Sequence, residues 1–83
     1  MNRREVFDLI LAERDRQTLR WSGRHPWGEG DCSSDGVPMI VKAVVLGEEV
    51  GEVHRAVLEG NVGNLRDELV QVAAVAVAWL ESL

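Results

Sequence analysis

Glu48, Glu49 and Glu52 lie in the run Gly47-Glu48-Glu49-Val50-Gly51-Glu52-Val53, and Glu68 lies in Asp67-Glu68-Leu69-Val70-Gln71-Val72. A carboxylate held among valines is expensive to keep ionised unless something positive faces it. A divalent cation with oxygen ligands is the most general remedy. Glu49 and Glu52 are three residues apart and share a helix face with Val45 and Ala56. Glu68 and Gln71 repeat that relation further on, whereas Glu48 falls on a more exposed azimuth. Three carboxylates and an amide converging from two helices make a site for one or two hard cations. Magnesium suits it best, because it keeps several waters and leaves room for a phosphate-bearing ligand.

Three helices and one loop are expected to position these groups, an all-α class. The first helix is expected over about 3–19, started by Asn2 and Glu5 at capping-box spacing and carrying a stripe of Val6, Leu9, Ile10 and Glu13. Residues 21–36 lose all periodicity. Gly23, Pro26, Gly28, Gly30 and Gly36 break regular structure there, while Trp21, His25 and Trp27 argue against plain disorder. The second helix is expected over about 37–59, with Asp35 as N-cap, Pro38 in the first turn and Gly60 as the stop. Its seam of Ala43, Leu46, Val50, Val53 and Val57 is of the bundle type. Asn61 and Gly63 then form a turn, and Asn64 caps a third helix over about 65–82. The short turn makes the last two helices antiparallel neighbours. The third carries two seams, one of Leu65, Leu69, Val72, Ala76, Trp79 and Leu83, the other of Val70, Ala73, Val77 and Leu80. A helix apolar on more than one side is a central or an interface helix. The expected architecture is therefore a four-helix-bundle-type core completed by self-association, as a dimer or tetramer.

Composition narrows the functional classes. One domain of this length has a marginal core of its own, and the single cysteine, Cys32, excludes internal disulfides. One cysteine also favours a reducing compartment. A net charge of −5 gives no footprint for nucleic acid. Neither a signal peptide nor a membrane span is expected, because the longest apolar tract, 69–80, is interrupted by Gln71. A soluble cytoplasmic protein is the expectation.

The pattern Glu48-Glu49-Val50-Gly51-Glu52, a spacer of 15 residues, then Glu68-Leu69-Val70-Gln71 resembles the all-α nucleoside triphosphate pyrophosphohydrolases. These comprise the MazG proteins, the dimeric dUTPases and the MazG-like proteins of phages and bacteria. Glu13-Arg14-Asp15-Arg16-Gln17, Arg20-Trp21 and His25-Pro26 are similar to the N-terminal segment of MazG-like members. The resemblance implies magnesium, or manganese, held by Glu49, Glu52 and Glu68. It also implies hydrolysis of a nucleoside triphosphate to the monophosphate and pyrophosphate. The family has carboxylates at all four motif positions, and here the last is Gln71, whose amide oxygen can coordinate but adds no charge. Asp67 is adjacent but points about 100° away from Glu68 around the helix.

In such a reaction Glu48 or Glu52 is the candidate proton acceptor from water. Arg14, Arg16, Arg20, Lys42 and Arg55 are candidates for phosphate charge, each with routine surface pairing as the alternative. Lys42 stands out, two turns before Glu49 on nearly the same face. Trp21 or Trp27 either stacks on a base or packs the loop onto the bundle. Two other classes compete with the enzyme. One is a nucleotide- or metal-binding module weakened by Gln71, and the other is a purely structural helical oligomer.

Overall fold

The computed structural model describes residues 1–83. Three helices carry most of the chain: α1 (Arg3–Arg20), α2 (Met39–Glu59) and α3 (Val62–Glu81). Asn2 caps α1, its side-chain oxygen accepting from the Glu5 backbone N–H at 2.9 Å. That satisfies one of the amide donors a helix start leaves open. Of the expected α1 stripe, Val6 and Ile10 are half-buried and Glu13 is buried, but Leu9 is exposed. The inward positions are Val6, Ile10, Glu13, Arg14 and Gln17, so the deepest part of this face is charged.

The α2–α3 connection is tighter than the sequence suggests. Gly60 ends α2 with φ 66, and its N–H and that of Asn61 return to the last-turn carbonyls of Ala56 and Val57. This left-handed closure is open to glycine at little cost. It delivers Asn61 directly as the cap of α3, with Asn61 Oδ1 accepting from the Asn64 N–H at 3.0 Å. Asn64, expected as the cap, is therefore inside the first turn. At the other end of α2, Pro38 is itself the N-cap and makes no side-chain cap bond, so Asp35 does not serve there.

The segment between α1 and α2 is not wholly irregular. Arg24–His25 (β1) and Gly28–Glu29 (β2) pair antiparallel in a two-residue-per-strand hairpin turned by Pro26 and Trp27. Glu29 N–H donates to Gly36 O at 3.1 Å and Gly30 N–H to Gly23 O at 2.8 Å, folding the segment back on itself.

α3 is the central element. It packs against both α1 and α2, which do not pack on each other. Neither expected apolar seam is its deepest face: the buried residues of α3 are Ala74, Val75 and Ala78, which belong to neither seam, while Leu69, Leu80 and Leu83 of the seams are exposed, because the flanking helices seat on a third face between them. The core is small: Cys32, Val75 and Ala78 with Val45 and Leu46 against them, and Val37, Ala56 and Ala74 buried elsewhere. Only nine of the 83 residues are buried, while Phe7, Leu11, Ile40, Val44, Leu58 and Leu80 are exposed. No helix is long and apolar enough to cross a membrane.

Candidate functional site

One face of α2 carries Lys42, Val45, Glu49, Glu52 and Ala56, and one face of α3 carries Glu68, Gln71, Val75, Ala78 and Ser82. Both advance by alternating steps of three and four, and every one of these residues is buried or half-buried. The two helices run antiparallel, since Lys42 near the start of α2 reaches Ser82 at the end of α3. The middle stretch of this interface is therefore acidic, between apolar residues on both sides. Glu48 is exposed, as its azimuth requires.

The acidic stretch has no internal counter-charge in contact. Glu49 Oε2 and Glu68 Oε2 are buried and have no hydrogen-bond partner. Burial pushes the Glu49 carboxyl above its ordinary range, and the charges of Glu68, Glu48 and Glu52 push it further, against a weaker pull from Arg20. Glu68 is raised the same way, first by burial and then by Glu52 and Asp67. These carboxylates thus feel one another, which is the electrostatic condition for cation binding. As they stand, no three acidic, histidine or cysteine side chains converge closely enough to hold a metal ion. Coordination would need rotamer adjustment of the glutamates on α2 and α3.

Because α1 and α2 flank α3 without touching, a polar groove of about 800 Å³ runs between them. α1 contributes Glu13, Arg16, Gln17 and Arg20, with Trp21 just after its end; α2 contributes Glu48 and Glu49, and α3 contributes Asp67, Val70 and Gln71. Arg16 and Arg20 are one turn apart on the wall of α1, opposite the acidic wall. Arg16 is paired with Glu13, and Arg20 lies over the Trp21 ring with 5.1 Å to its centroid. Asp67, set aside in the sequence on its azimuth, lines this groove; Glu52 and Glu68 do not.

A second cavity, of about 440 Å³, is mainly apolar and adjoins the groove. Trp21, Trp27, Asp31 and Cys32 form one side, and Val37, Ile40, Val41, Val44, Val45 and Val75 the other. Gln17, Trp21, Glu48 and Glu49 line both spaces. The aromatic side is self-supporting: His25 stacks on Trp27 with centroids 4.8 Å apart, and Trp21 meets His25 at 5.6 Å and Trp27 at 6.1 Å.

Two of the substrate candidates are placed elsewhere. Lys42 does share the face of Glu49, but the C-terminal end of α3 closes that face at its level. Its ammonium is buried and donates to Ser82 Oγ at 2.7 Å. Arg14 is likewise buried, with its guanidinium 3.1 Å from Asp31 and 2.6 Å from Glu81. Neither reaches the groove. Of Lys42, Arg14 and Trp21, Trp21 alone faces both spaces. Sequence reasoning passed over Gln17 and Asp31. The signal for Asp31 was the Asp-Cys-Ser order, which forms an Asx turn with Ser33 N–H donating to Asp31 Oδ1 at 2.9 Å. Comparison with protein-family models, curated proteins and solved structures gives no match to this chain.

Proposed function

We propose that this protein is a metal-dependent nucleoside triphosphate pyrophosphohydrolase of the MazG-like type, cleaving a triphosphate to the monophosphate and pyrophosphate. The observation that carries the reading is the pair of buried, unpartnered oxygens, Glu49 Oε2 and Glu68 Oε2, on the contacting faces of α2 and α3. A buried charged oxygen without a donor is costly, and a hard cation is the ligand that relieves it. Glu49, Glu52 and Glu68, with the Gln71 amide oxygen, would hold magnesium or manganese. Such an ion, when bound, neutralises phosphate oxygens and lowers the pKa of a bound water.

The remaining residues have matching tasks. Arg16 and Arg20 oppose the acids across the groove and would bind phosphate oxygens. The apolar cavity, with Trp21 and Trp27 on its wall, would take the flat face of a base, since stacking is sequence-tolerant. A water oxygen bonds to a phosphorus beside the α–β bridge, and the bridging P–O bond breaks. The water's proton passes to a carboxylate. Glu48, exposed on the groove, is placed for this better than Glu52, which does not line it. The exposed apolar residues on all three helices suit self-association as a dimer or tetramer that completes a four-helix core.

The test is a panel of triphosphates with magnesium or manganese, scored for pyrophosphate. Metal-dependent release supports the enzyme. Metal-dependent melting without turnover supports the second reading, a catalytically weakened nucleotide- or metal-binding oligomer, which Gln71 favours. Indifference of both to metal leaves only a structural oligomer. Gln71→Asp adds a charge at the fourth ligand position, and we expect tighter magnesium binding by calorimetry, by about tenfold. An affinity equal to or weaker than the parent's would remove Gln71 from the site.

A further inference from the structure

The segment between α1 and α2 supplies one wall of the apolar cavity; Cys32 and Val37 pack it on the helices, yet few polar groups fix it to them. Its hydrogen bonds are mostly internal: Ser34 Oγ to Glu29 O, Glu29 N–H to Gly36 O, Gly30 N–H to Gly23 O. Its aromatic rings pack against one another, His25 stacked on Trp27 and Trp21 set at an angle to both. Apart from Ser22 Oγ, which donates to Leu19 O in the last turn of α1 at 3.0 Å, the side chain that ties it by hydrogen bonds to a helix is Asp31. Its Oδ2 accepts from Arg14 at 3.1 Å and from Thr18 at 3.0 Å. Arg14 in turn donates from Nε to Glu81 at 2.8 Å. One guanidinium thus joins α1, the cavity wall and the end of α3. Its side chain and that of Asp31 are 9% and 7% exposed, too buried for a solvated surface pair whose contribution is near zero.

We infer that Arg14 is a positioning residue: through Asp31 it holds the wall carrying Trp27 and Cys32 over the cavity, and so sets affinity for the nucleoside part of the substrate. This rests on the pyrophosphohydrolase reading for its functional consequence, but not for its mechanical one. Burial works against the Asp31 carboxylate, but hydrogen bonds from Ser33, Thr18 and Arg14 outweigh it and hold the group below its ordinary range. The pair therefore stays ionised at neutral pH. Arginine suits the task because its planar fork serves two carboxylates at once, which a lysine ammonium does with less geometric control.

The experiment compares the parent with Arg14→Gln, Arg14→Lys and the double variant Arg14→Gln/Asp31→Asn. The double variant removes both charges, so no orphan carboxylate remains at Asp31 if the single variant does not fold. Kinetics are measured with a nucleoside triphosphate, and with magnesium tripolyphosphate, which lacks base and sugar, as inhibitor. Acrylamide quenching in a Trp79→Phe background reports Trp21 and Trp27. Loosening the wall is expected to raise KM for the nucleotide by about tenfold with kcat changed less than about threefold, since a small misplacement of binding groups can cost up to about a hundredfold. The tripolyphosphate inhibition constant should not move, quenching should rise, and Arg14→Lys should recover part of the KM. An unchanged nucleotide KM in folded Arg14→Lys and double variants overturns the inference, as does an equal rise for tripolyphosphate. If the parent neither turns over triphosphates nor binds tripolyphosphate, the pyrophosphohydrolase reading fails. Quenching then decides the tether alone, and unchanged tryptophan access in the variants overturns it.

Discussion

Replacing Glu49 with glutamine is expected to cut metal-dependent pyrophosphate release by at least about a hundredfold, because a metal and its ligands supply several kcal/mol of transition-state stabilisation. The same change is expected to raise the melting temperature of the metal-free protein. The two effects have one origin. Glu49 is half-buried, with one buried and unpartnered oxygen, and faces the fields of Glu68, Glu48 and Glu52, so its ionised form is disfavoured in the fold. With the folded-state pKa raised, the folded chain holds more protons than the unfolded one. Metal-free stability then falls as pH rises from the ordinary glutamate value of 4.5 through the raised one, and the loss persists above it. Glu49→Gln should flatten that slope. In the parent, magnesium at about a hundred times its Kd should contribute about 2.7 kcal/mol of stability, and the variant should lose most of it. Glu68→Gln should behave alike, since Glu68 has the same orphaned oxygen and the same direction of shift. The checks are melting curves across pH with and without magnesium, alongside the pyrophosphate assay. A Glu49→Gln protein that melts lower than the parent without metal, and still responds to magnesium, would contradict the proposed site.

Gly28→Ala should be the most damaging small change in the segment between α1 and α2. Gly28 has φ 148, and a methyl built on it would lie 2.2 Å from Gly36 O. That oxygen is backbone, and it already accepts from the Glu29 N–H at 3.1 Å. Neither the clash nor the dihedral can be relieved without opening the hairpin. Strain at such a position costs about 1–3 kcal/mol before the lost hydrogen bond, which is roughly 5–20 °C in Tm for a domain of this size. The wall with Trp27 would move with it, so nucleotide KM should rise as in the Arg14 variants. Gly47→Ala is the control. A methyl there meets nothing within 4 Å, and inside α2 it should leave stability equal or slightly higher. Calorimetric melting of both variants settles the comparison. A Gly28→Ala protein melting with the parent would mean that the hairpin closes in some other way.

The elements themselves were readable because their signals are local. Asn2 caps α1 and Gly60 closes α2 through groups within one turn of each end. The misplacements are equally local in origin. Asn61 and Asn64 are chemically equivalent as caps. The left-handed Gly60, which brings the chain straight into α3, decides between them. The hairpin at 24–29 was invisible, since two residues per strand are too few to alternate. For the site, the i, i+3 spacing placed Glu49 with Glu52 and Glu68 with Gln71 on single faces, and those faces are the ones α2 and α3 turn inward.

Spacing also placed Lys42 on the face of Glu49, yet it could not say that the end of α3 covers that face at Ser82. Nor could it tell Arg14, locked between Asp31 and Glu81, from Arg20, open to the groove: the two are six residues apart on one helix, and only the neighbours differ. Helix periodicity is a property of the chain alone, so the sequence determined which residues share a face and that acids lie among valines. Which faces meet, which cation is consumed in holding the fold and which is left for a ligand depend on how α1 and α2 seat against α3. That arrangement is decided by contacts between residues far apart in sequence, which no local pattern encodes.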